Sequence, residues 1–398
     1  MSLFAQRISR IKPSPTLEIT AKAKALQAKG IDVANFGAGE PDFDTPDNIK
    51  RAGIRAIEAG FTKYTAVGGI DELKDAIIES LKKDGLEYAR PQILVCNGGK
   101  HALYNIAQVL FDVGDEIIIP APYWVSYPDQ VLLNDATPVI LETTDQTGFK
   151  VTPELLEKAI TPRTKAFILN SPSNPTGSAY TEKELKALAD ILVKKKIICI
   201  SDEIYEKIVY DGFRQVSIAS LSPEMKNLTI VVNGASKAFS MTGWRMGFAA
   251  GPKEIIDAMS MVQGQVTSNV CSIVQKACVA AYKEPQDYIP AMVKEFQKRR
   301  DVIVASLNEI PGIQCLKPEG AFYVFPSVKG LLGKKSSSGK NIQTAADFAN
   351  YLLEEHHVAV VSGEGFGAPG YMRLSYATSM AVIEKGLERI RKAVSLLG

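Results

Sequence analysis

The sequence has few of the features that mark several classes of protein. Its 398 residues include five cysteines, an odd number with no CxxC pair, so neither a disulfide framework nor a zinc site is indicated. There is no run of eighteen or more apolar residues, and the amino terminus has no apolar core or cleavage site. We therefore expect no membrane span and a location in the reducing cytoplasm.

The chain also lacks an excess of charge of either sign. The 46 basic and 44 acidic residues give a formal net charge of +2, which provides no general electrostatic case for binding nucleic acid or a membrane. The hydrophobic content of 46% is enough to bury a large core over more than one domain. We therefore expect small molecules, or a second copy of the chain, as partners.

Apolar, strand-like runs alternate with amphipathic helical segments as far as Gly251, which predicts an α/β fold with a mostly parallel sheet. One of these helices opens with a capping box, Thr181 with Glu184. Beyond Gly251 the pattern changes to long helices and then a strand pair, IQCLKP with GAFYVFP, which indicates a second, smaller domain. Seven runs are predicted as strands of the large sheet: QILVCN, DEIIIPA, TPVILE, KAFILN, KIICISD, LTIVVNG and GFAAG.

Residues 227–252 are the most informative stretch of the chain. Among apolar and small residues they carry only two charges, Lys237 and Arg245, both positive. A buried cation without an anion is costly, roughly 3–5 kcal/mol, so the anion must come from a distant part of the chain or from a ligand. A desolvated lysine suits attack on a carbonyl and an arginine suits phosphate. Pyridoxal 5'-phosphate satisfies both, through its aldehyde and its phosphate.

The predicted strand KIICISD ends in a carboxylate. Because the strand reads as buried on both faces, Asp202 needs a cationic or hydrogen-bonding partner there. A protonated pyridine nitrogen is one candidate, and an internal arginine is the alternative. Tyr205 follows three residues later, a spacing that would direct its hydroxyl to the same ligand.

Two further strand ends suit a ligand, since ligands of parallel α/β sheets bind at the carboxyl ends of the strands. In NGGK, Gly98 and Gly99 allow close backbone approach, and the amides of the following helix offer a phosphate site. A glycine turn with a solvated Lys100 is the alternative. In SPSNPTG, Asn174 is a candidate ligand contact, although turn chemistry explains the segment equally well.

Taken together, these motifs resemble the fold-type I aminotransferases that depend on pyridoxal 5'-phosphate, and within them the bacterial aspartate aminotransferases. The resemblance extends over essentially the whole chain, in family order and spacing. It rests on GAGEPDFDTP, KYTAVGGIDELKDAI, GGKHAL, PYWVSY, NSPSNPTG, SDEIYE, ASKAFSMTGWRMG and YMRLSYA.

The resemblance implies roles around the cofactor ring. Lys237 binds the aldehyde covalently and later moves the proton of the substrate's α-carbon, while Asp202 keeps the pyridine nitrogen protonated. Asn174 and Tyr205 hydrogen-bond the ring oxygen. Trp124 stacks on the ring face, although an aromatic residue among apolar neighbours is more often part of a core.

For the phosphate, the resemblance implies Arg245, the backbone of Gly99 and Lys100, and Tyr64 from a neighbouring subunit. The chain departs from the commoner pattern at one position. Many relatives have a serine three residues before the lysine, where this chain has Gly234. Ser236 is a weak candidate for the missing contact.

For the substrate, the resemblance assigns the α-carboxylate to Arg373, with an internal salt bridge as the alternative role for that arginine. Lys100 matches the lysine that binds the distal carboxylate in the bacterial subgroup. Trp124 and Asn174 are expected to touch the substrate as well. Four further contacts are expected at the backbone and the entrance: Gly39, Lys12, Ser14 and Thr16.

The sequence therefore predicts a homodimer with shared active sites and the fold of type I pyridoxal-phosphate-dependent transferases. A mostly parallel seven-stranded sheet is expected in a large domain, 46–290, beside a smaller α/β domain, 291–398, with an amino-terminal segment, 1–45, partly in the small domain. No metal is expected.

The predicted activity is reversible amino transfer from aspartate or glutamate to a 2-oxo acid. Prephenate or aromatic amino transfer, alone or as a second activity, is the alternative, and a lysine at position 12 accompanies prephenate use in some relatives. Three other classes fit less well. A lyase fits less well because two substrate-binding cations suit a dicarboxylate held for amino transfer. The effector-binding module of a transcription regulator is accompanied by a DNA-binding domain, and we expect none before Lys12. A catalytically inactive protein is disfavoured because Lys237, Asp202 and Arg373 are all present.

Overall fold

The computed structural model describes residues 3–13 and 15–398. Helices and strands alternate along most of this length. The helices are α1 (Pro15–Ala28), α2 (Asp47–Glu58), α3 (Asp71–Lys83), α4 (Gly99–Leu110), α5 (Ser126–Leu132), α6 (Pro153–Ala159), α7 (Glu182–Lys195), α8 (Pro223–Asn227), α9 (Lys253–Val266), α10 (Ser272–Lys283), α11 (Tyr288–Asn308), α12 (Ala345–His356) and α13 (Met380–Ser395). The strands are β1 (Ala34–Asn35), β2 (Ile93–Cys96), β3 (Glu116–Ala121), β4 (Thr137–Glu142), β5 (Thr164–Asn170), β6 (Ile198–Asp202), β7 (Thr229–Gly234), β8 (Gly247–Ala250), β9 (Tyr323–Val324), β10 (Val358–Ala359), β11 (Val361–Ser362) and β12 (Met372–Ser375).

A seven-stranded sheet forms the centre of the larger part of the molecule. Its order is β2-β8-β7-β6-β5-β3-β4, with β8 antiparallel to both neighbours and the other pairs parallel. Every residue of β2, β7 and β8 is buried, as expected for a sheet covered on both faces. The predicted α/β class and the seven strands are confirmed, as is the capping box of Thr181 with Glu184.

The topology brings several strand ends to one edge of this sheet. Asp202 is the last residue of β6 and pairs in register with Asn170, the last residue of β5. β7 ends beside them at Gly234, and α4 begins at Gly99, soon after β2. The residues singled out from the sequence at these strand ends are therefore neighbours in space.

A second region is built from the two ends of the chain. β1 pairs in parallel with β10, so residues 34–35 lie beside residues 358–359. β11, β12 and β9 form a three-stranded antiparallel sheet. The predicted boundary at 290/291 falls inside α11, and the division into domains stays a prediction.

The predicted pairing of IQCLKP with GAFYVFP is wrong. Gln314 forms a bridge to Ser327, one residue beyond the second segment, and β9 pairs with β12 instead. The side chain of Asn308 accepts from the amide of Cys315 and donates to its carbonyl, both at 2.9 Å. Because this side chain satisfies backbone groups that a ladder would use, the segment has no need of a partner strand.

Gly234 lies where the β7 and β8 backbones approach closely. A Cβ at this position would be 2.6 Å from the Cα of Gly247 and 2.7 Å from the carbonyl oxygen of Met246. The backbone therefore leaves no room for the serine that many relatives have there. Ser236, two residues later, is buried and lines the cavity described below.

Membrane-spanning helices and metal-binding clusters are both missing from residues 3–13 and 15–398. No helix of that part is both long and apolar enough to cross a membrane. The same residues contain no group of three or more histidine, cysteine, aspartate or glutamate side chains arranged to hold a metal ion.

Candidate active site

A cavity of about 430 Å³ opens at the sheet edge where β5, β6 and β7 end. It is lined by residues from this edge and from the amino-terminal and carboxyl-terminal parts of the chain. Most of the residues predicted from the sequence lie on its wall: Thr16, Gly39, Gly99, Lys100, Trp124, Asn174, Asp202, Tyr205, Ser236, Lys237, Arg245 and Arg373.

Three predicted residues are not part of this wall. Tyr64 is 91% exposed and Lys12 is also exposed, while Ser14 lies outside the described residues. A residue that contributes to the site of a neighbouring subunit would be exposed when its own chain is considered alone. The roles of Tyr64, Lys12 and Ser14 therefore stay predictions.

Asp202 is buried at the end of β6 and is held by uncharged donors. The Tyr127 hydroxyl donates to its Oδ2 at 2.7 Å and the Ile204 amide donates to its Oδ1 at 3.3 Å. Burial raises the pKa of Asp202 to about 6, and the hydrogen bond from Tyr127 opposes this rise. No arginine in the described part of the chain pairs with it, so the carboxylate can accept a cation from a ligand.

Lys237 faces Asp202 across the cavity and is also poorly hydrated. Its Nζ donates to the carbonyl oxygen of Gly39 at 2.5 Å. Burial lowers the pKa of Lys237 to about 8, with the carboxylate of Glu40 opposing the change and the cations Arg373 and Arg245 adding to it. A larger fraction of the amine than in an ordinary lysine is therefore unprotonated near neutral pH, which favours attack on a carbonyl.

Arg373 is 2% exposed and uses only part of its hydrogen-bonding capacity. It donates to the Asn174 side chain at 3.0 Å and to the Gly37 carbonyl at 2.8 Å. Within the described residues its Nε has no partner, although it is buried. A buried, unpartnered donor on a cation indicates a site for an anion. Burial lowers the pKa of Arg373.

The opposite side of the cavity is formed by the start of α4 and the loop after β7. The Lys100 Nζ lies 4.8 Å from the centroid of the Trp124 ring. Burial, followed by the charge of Arg245, lowers the pKa of Lys100. The free amides of Gly99 and Lys100 at the helix start favour an anion.

Arg245 differs from its sequence-based description. Its side chain is exposed rather than buried, and it donates to the carbonyls of Thr242 at 2.9 Å and Asn97 at 3.5 Å. The premise that both cations of the apolar segment are buried is therefore wrong for Arg245, because the loop carries its side chain out of the core. Gly98 makes room for it, since a Cβ there would be 2.5 Å from its Nη2.

The donor set fits pyridoxal 5'-phosphate. Arg245 and the α4 amides would hold the phosphate, Asp202 the pyridine nitrogen, Trp124 a ring face, and Lys237 the aldehyde. One observation supports this fit: within the described residues Asp202, although buried, forms no ion pair with a cationic side chain and is held by hydrogen bonds from Tyr127 and the Ile204 amide.

The family model for aminotransferase class I and II matches residues 31–390. The chain belongs to this family. Class I and II aminotransferases of this kind depend on pyridoxal phosphate, so the chain is a pyridoxal-phosphate-dependent aminotransferase.

Several relatives match this aminotransferase over nearly its full length. It is 51% identical to an aspartate aminotransferase of Geobacillus stearothermophilus, and the match covers 98% of each chain. It is 52% identical to an aspartate/prephenate aminotransferase of Cereibacter sphaeroides, again over 98% of each. A solved structure of the aspartate aminotransferase from Rhizobium meliloti aligns with a TM-score of 0.97 at 48% identity, covering 100% of both chains.

Several residues of the aminotransferase site escaped the sequence analysis. Tyr127, Tyr323, Glu40 and Gly37 all line the cavity or contact its charged groups. Three of them stand inside quoted motifs, Tyr127 in PYWVSY and both Gly37 and Glu40 in GAGEPDFDTP, so these motifs contained a signal for them. Tyr323 had no such signal, because a phenol in an apolar run looks like ordinary structure.

The lowered pKa of Lys237 predicts how cofactor capture depends on pH. The rate at which the cofactor-free protein takes up pyridoxal 5'-phosphate should rise with pH through about 8, because only the unprotonated amine attacks. Glu40→Gln removes the carboxylate that favours the charged amine, so the midpoint should move to lower pH. Stopped-flow absorbance measures both curves.

A surface acid provides the control for this measurement. Glu224 is an exposed residue of α8, so Glu224→Gln should leave the midpoint unchanged. A midpoint near 10.5 in the unmodified protein would show that burial does not lower the pKa of Lys237. A Glu40→Gln midpoint at higher pH would contradict the part assigned to the Glu40 carboxylate.

Proposed function

We propose that this aminotransferase reversibly transfers the amino group between L-aspartate or L-glutamate and the 2-oxo acids oxaloacetate and 2-oxoglutarate, in a ping-pong cycle. The observation that carries the proposal is a pair of cations in one cavity. Among the described residues, neither Lys100 nor Arg373 forms an ion pair with a carboxylate. A dicarboxylic amino acid supplies one anion for each of them.

Arg373 is suited to the α-carboxylate that all amino acids share. Its guanidinium is fixed by Asn174 and Gly37, and the ring of Tyr323 lies 4.7 Å from its Cζ. A guanidinium held in one orientation binds a carboxylate through two parallel hydrogen bonds with little loss of freedom. It therefore orients the α-carbon of the substrate toward Lys237.

Lys100 is suited to the distal carboxylate. Lys100 is exposed in the single chain, but its ammonium lies over Trp124 on the cavity wall, where a carboxylate can form a charge-assisted contact with it. The names of relatives at about 50% identity, aspartate and aspartate/prephenate aminotransferase, agree with a substrate that carries two carboxylates.

The remaining residues serve the chemical step. When bound, pyridoxal 5'-phosphate supplies an aldehyde that takes the amino group and a ring that accepts the electron pair of the substrate's α-carbon. Lys237, with a pKa of about 8, can take up and return the α-proton near neutral pH. Asp202 is anionic above about pH 6 and would keep the pyridine nitrogen protonated.

Substrate choice tests the role of Lys100. Lys100→Ala should lower kcat/KM for aspartate roughly 10- to 150-fold, because a charge-assisted contact of about 1.5–3 kcal/mol is lost. Alanine and phenylalanine, which have no distal carboxylate, should be affected far less. Half-reaction rates against a panel of amino donors, followed through the cofactor absorption, measure the difference.

Arg373→Ala is the matched comparison, since it removes the other cation of the same cavity. It should depress all donors alike, because each carries an α-carboxylate. Equal losses for aspartate and phenylalanine in Lys100→Ala would assign the lysine to the phosphate turn and overturn the dicarboxylate proposal.

A second activity on prephenate is favoured by the name of the Cereibacter sphaeroides relative. Prephenate is a larger dicarboxylate, and we assign the exposed Lys12 at the entrance to its outer part. Lys12→Ala should then lower the turnover of prephenate while leaving that of aspartate nearly unchanged. A steady-state assay with both substrates measures the two turnover rates. If the unmodified enzyme does not turn over prephenate, the proposal of a second activity is wrong.

A homodimer with shared active sites is also part of the proposal. An open cavity of about 610 Å³ lies against Arg245 and is lined by Asn97, Gly243, Trp244, Cys271 and Val274. Tyr64 is 91% exposed, as are large parts of Ile54, Ile57 and Met261. Apolar exposure of this extent supports burial against a second copy. We place the dimer in the cytoplasm, where its free cysteines stay reduced.

Complementation between two inactive variants tests the shared site. In a mixed dimer of Lys237→Ala and Tyr64→Ala, one site has both Lys237 and the Tyr64 of the partner subunit. A mixture with free subunit exchange should recover roughly a quarter of full activity, since half of the dimers are mixed and each has one intact site. Activity of the mixture equal to the mean of the two variants alone would place Tyr64 outside the partner's site.

A further inference from the structure

Tyr323 lines the same cavity and touches one of its predicted cofactor ligands. Its hydroxyl lies 2.9 Å from the hydroxyl of Tyr205, and both side chains are buried. Tyr205 follows the end of β6 in the large sheet, whereas Tyr323 belongs to β9 in the three-stranded sheet. This hydrogen bond therefore joins the two regions of the molecule at the site.

The surroundings of Tyr323 tie it to two further parts of the site. The face of its ring lies 4.7 Å from the Cζ of Arg373. A Cβ at Gly39 would be 3.1 Å from its hydroxyl, so this oxygen lies against the segment whose carbonyl accepts from Lys237. The ring and the hydroxyl of Tyr323 thus have different neighbours, and their contributions can be separated by substitution.

The chemistry of the tyrosine pair fixes the direction of the hydrogen bond once the cofactor is bound. A phenol has one proton to donate and two lone pairs that accept. If Tyr205 donates its proton to the ring oxygen of the cofactor, it can only accept from Tyr323. Tyr323 then has to be the donor in the pair.

On this basis, we infer that Tyr323 is a positioning residue that donates to Tyr205 and so holds the Tyr205 proton on the ring oxygen of pyridoxal 5'-phosphate. The inference rests on the proposed function, and the cofactor role of Tyr205 is the one that the family resemblance implies. A chain of two hydrogen bonds polarises its members, which makes Tyr205 a stronger donor. The negative charge on the ring oxygen is stabilised as a result.

The chain contains a matched control pair of tyrosines. The hydroxyl of Tyr376 donates to that of Tyr210 at 3.3 Å, and all four tyrosines belong to the same hydrophobic core. Tyr376 and Tyr210 are not among the residues that line the cavity. The Tyr376 hydroxyl also contacts the carbonyl of Ala321 at 3.2 Å, so Tyr376→Phe removes a buried hydroxyl of the same kind from outside the cavity lining.

The experiment is a pH titration of the holoenzyme's cofactor absorption in Tyr323→Phe. A ring oxygen with a weaker hydrogen bond carries more negative charge and holds a neighbouring proton more tightly. The midpoint of the absorption change should therefore rise by roughly half to one pH unit, a 3- to 10-fold change in the proton equilibrium. Tyr376→Phe should leave this midpoint unchanged, whatever it does to the melting temperature.

Ligand binding separates the ring of Tyr323 from its hydroxyl. Tyr323→Phe keeps the ring face on Arg373. The Kd of maleate, a dicarboxylate without an amino group, should therefore stay within about 2-fold of the value for the unmodified enzyme. The kcat for aspartate should fall roughly 3- to 10-fold. In a Tyr205→Phe background, Tyr323→Phe should add no further shift of the midpoint, because the relay is already broken.

Two results would overturn the inference. One is a Tyr323→Phe midpoint equal to that of the unmodified holoenzyme. The other is an undiminished shift in the Tyr205→Phe background, since Tyr323 would then act without Tyr205. Failure of the proposed function looks different, because the unmodified protein itself would not bind pyridoxal 5'-phosphate or transfer an amino group.

Discussion

The site depends on the placement of charged groups where little water reaches them, at the edge where β5, β6 and β7 end. Burial raises the pKa of Asp202 to about 6 and lowers that of Lys237 to about 8, so both pKa values lie within about one unit of neutral pH. Neither has a strong ion-pair partner of its own among the described residues. A hydroxyl from Tyr127 and a carbonyl from Gly39 stabilise them instead. Groups held in this way remain available to a charged ligand.

The amino-terminal segment 37–45 organises both sides of the cavity. Its carbonyls at Gly37 and Gly39 accept from Arg373 and Lys237, and Glu40 accepts from Thr242 at 2.7 Å. Thr45 then anchors the segment by donating to the carbonyl of Ser240 at 2.7 Å. This segment precedes the large sheet in sequence but lies against its loops. One stretch of backbone therefore positions both Arg373, which is expected to bind the substrate, and Lys237, which is expected to bind the cofactor.

The sequence predicted much of this arrangement because certain residues have few other uses. The buried strand that ends in Asp202 indicates a ligand, and so does the position of Lys237 in an apolar stretch. Prediction from the local sequence was wrong at positions whose environment depends on distant parts of the chain. Arg245 is exposed because its loop leaves the core, and in the 313–318 segment the Asn308 side chain takes up the backbone N–H and carbonyl of Cys315, which a strand ladder would use. A local pattern does not contain either of these distant causes.

By itself the sequence determined the α/β class, the seven strands of the large sheet and the charged residues of the site, since periodicity and the cost of burying charge act locally. Which neutral groups meet those charges depends on the tertiary structure. Tyr127 reaches Asp202 across 75 positions of the chain, and Tyr323 meets Tyr205 across 118. Such contacts follow from how the sheets pack, because a hydroxyl in an apolar run has no local signal of its partner.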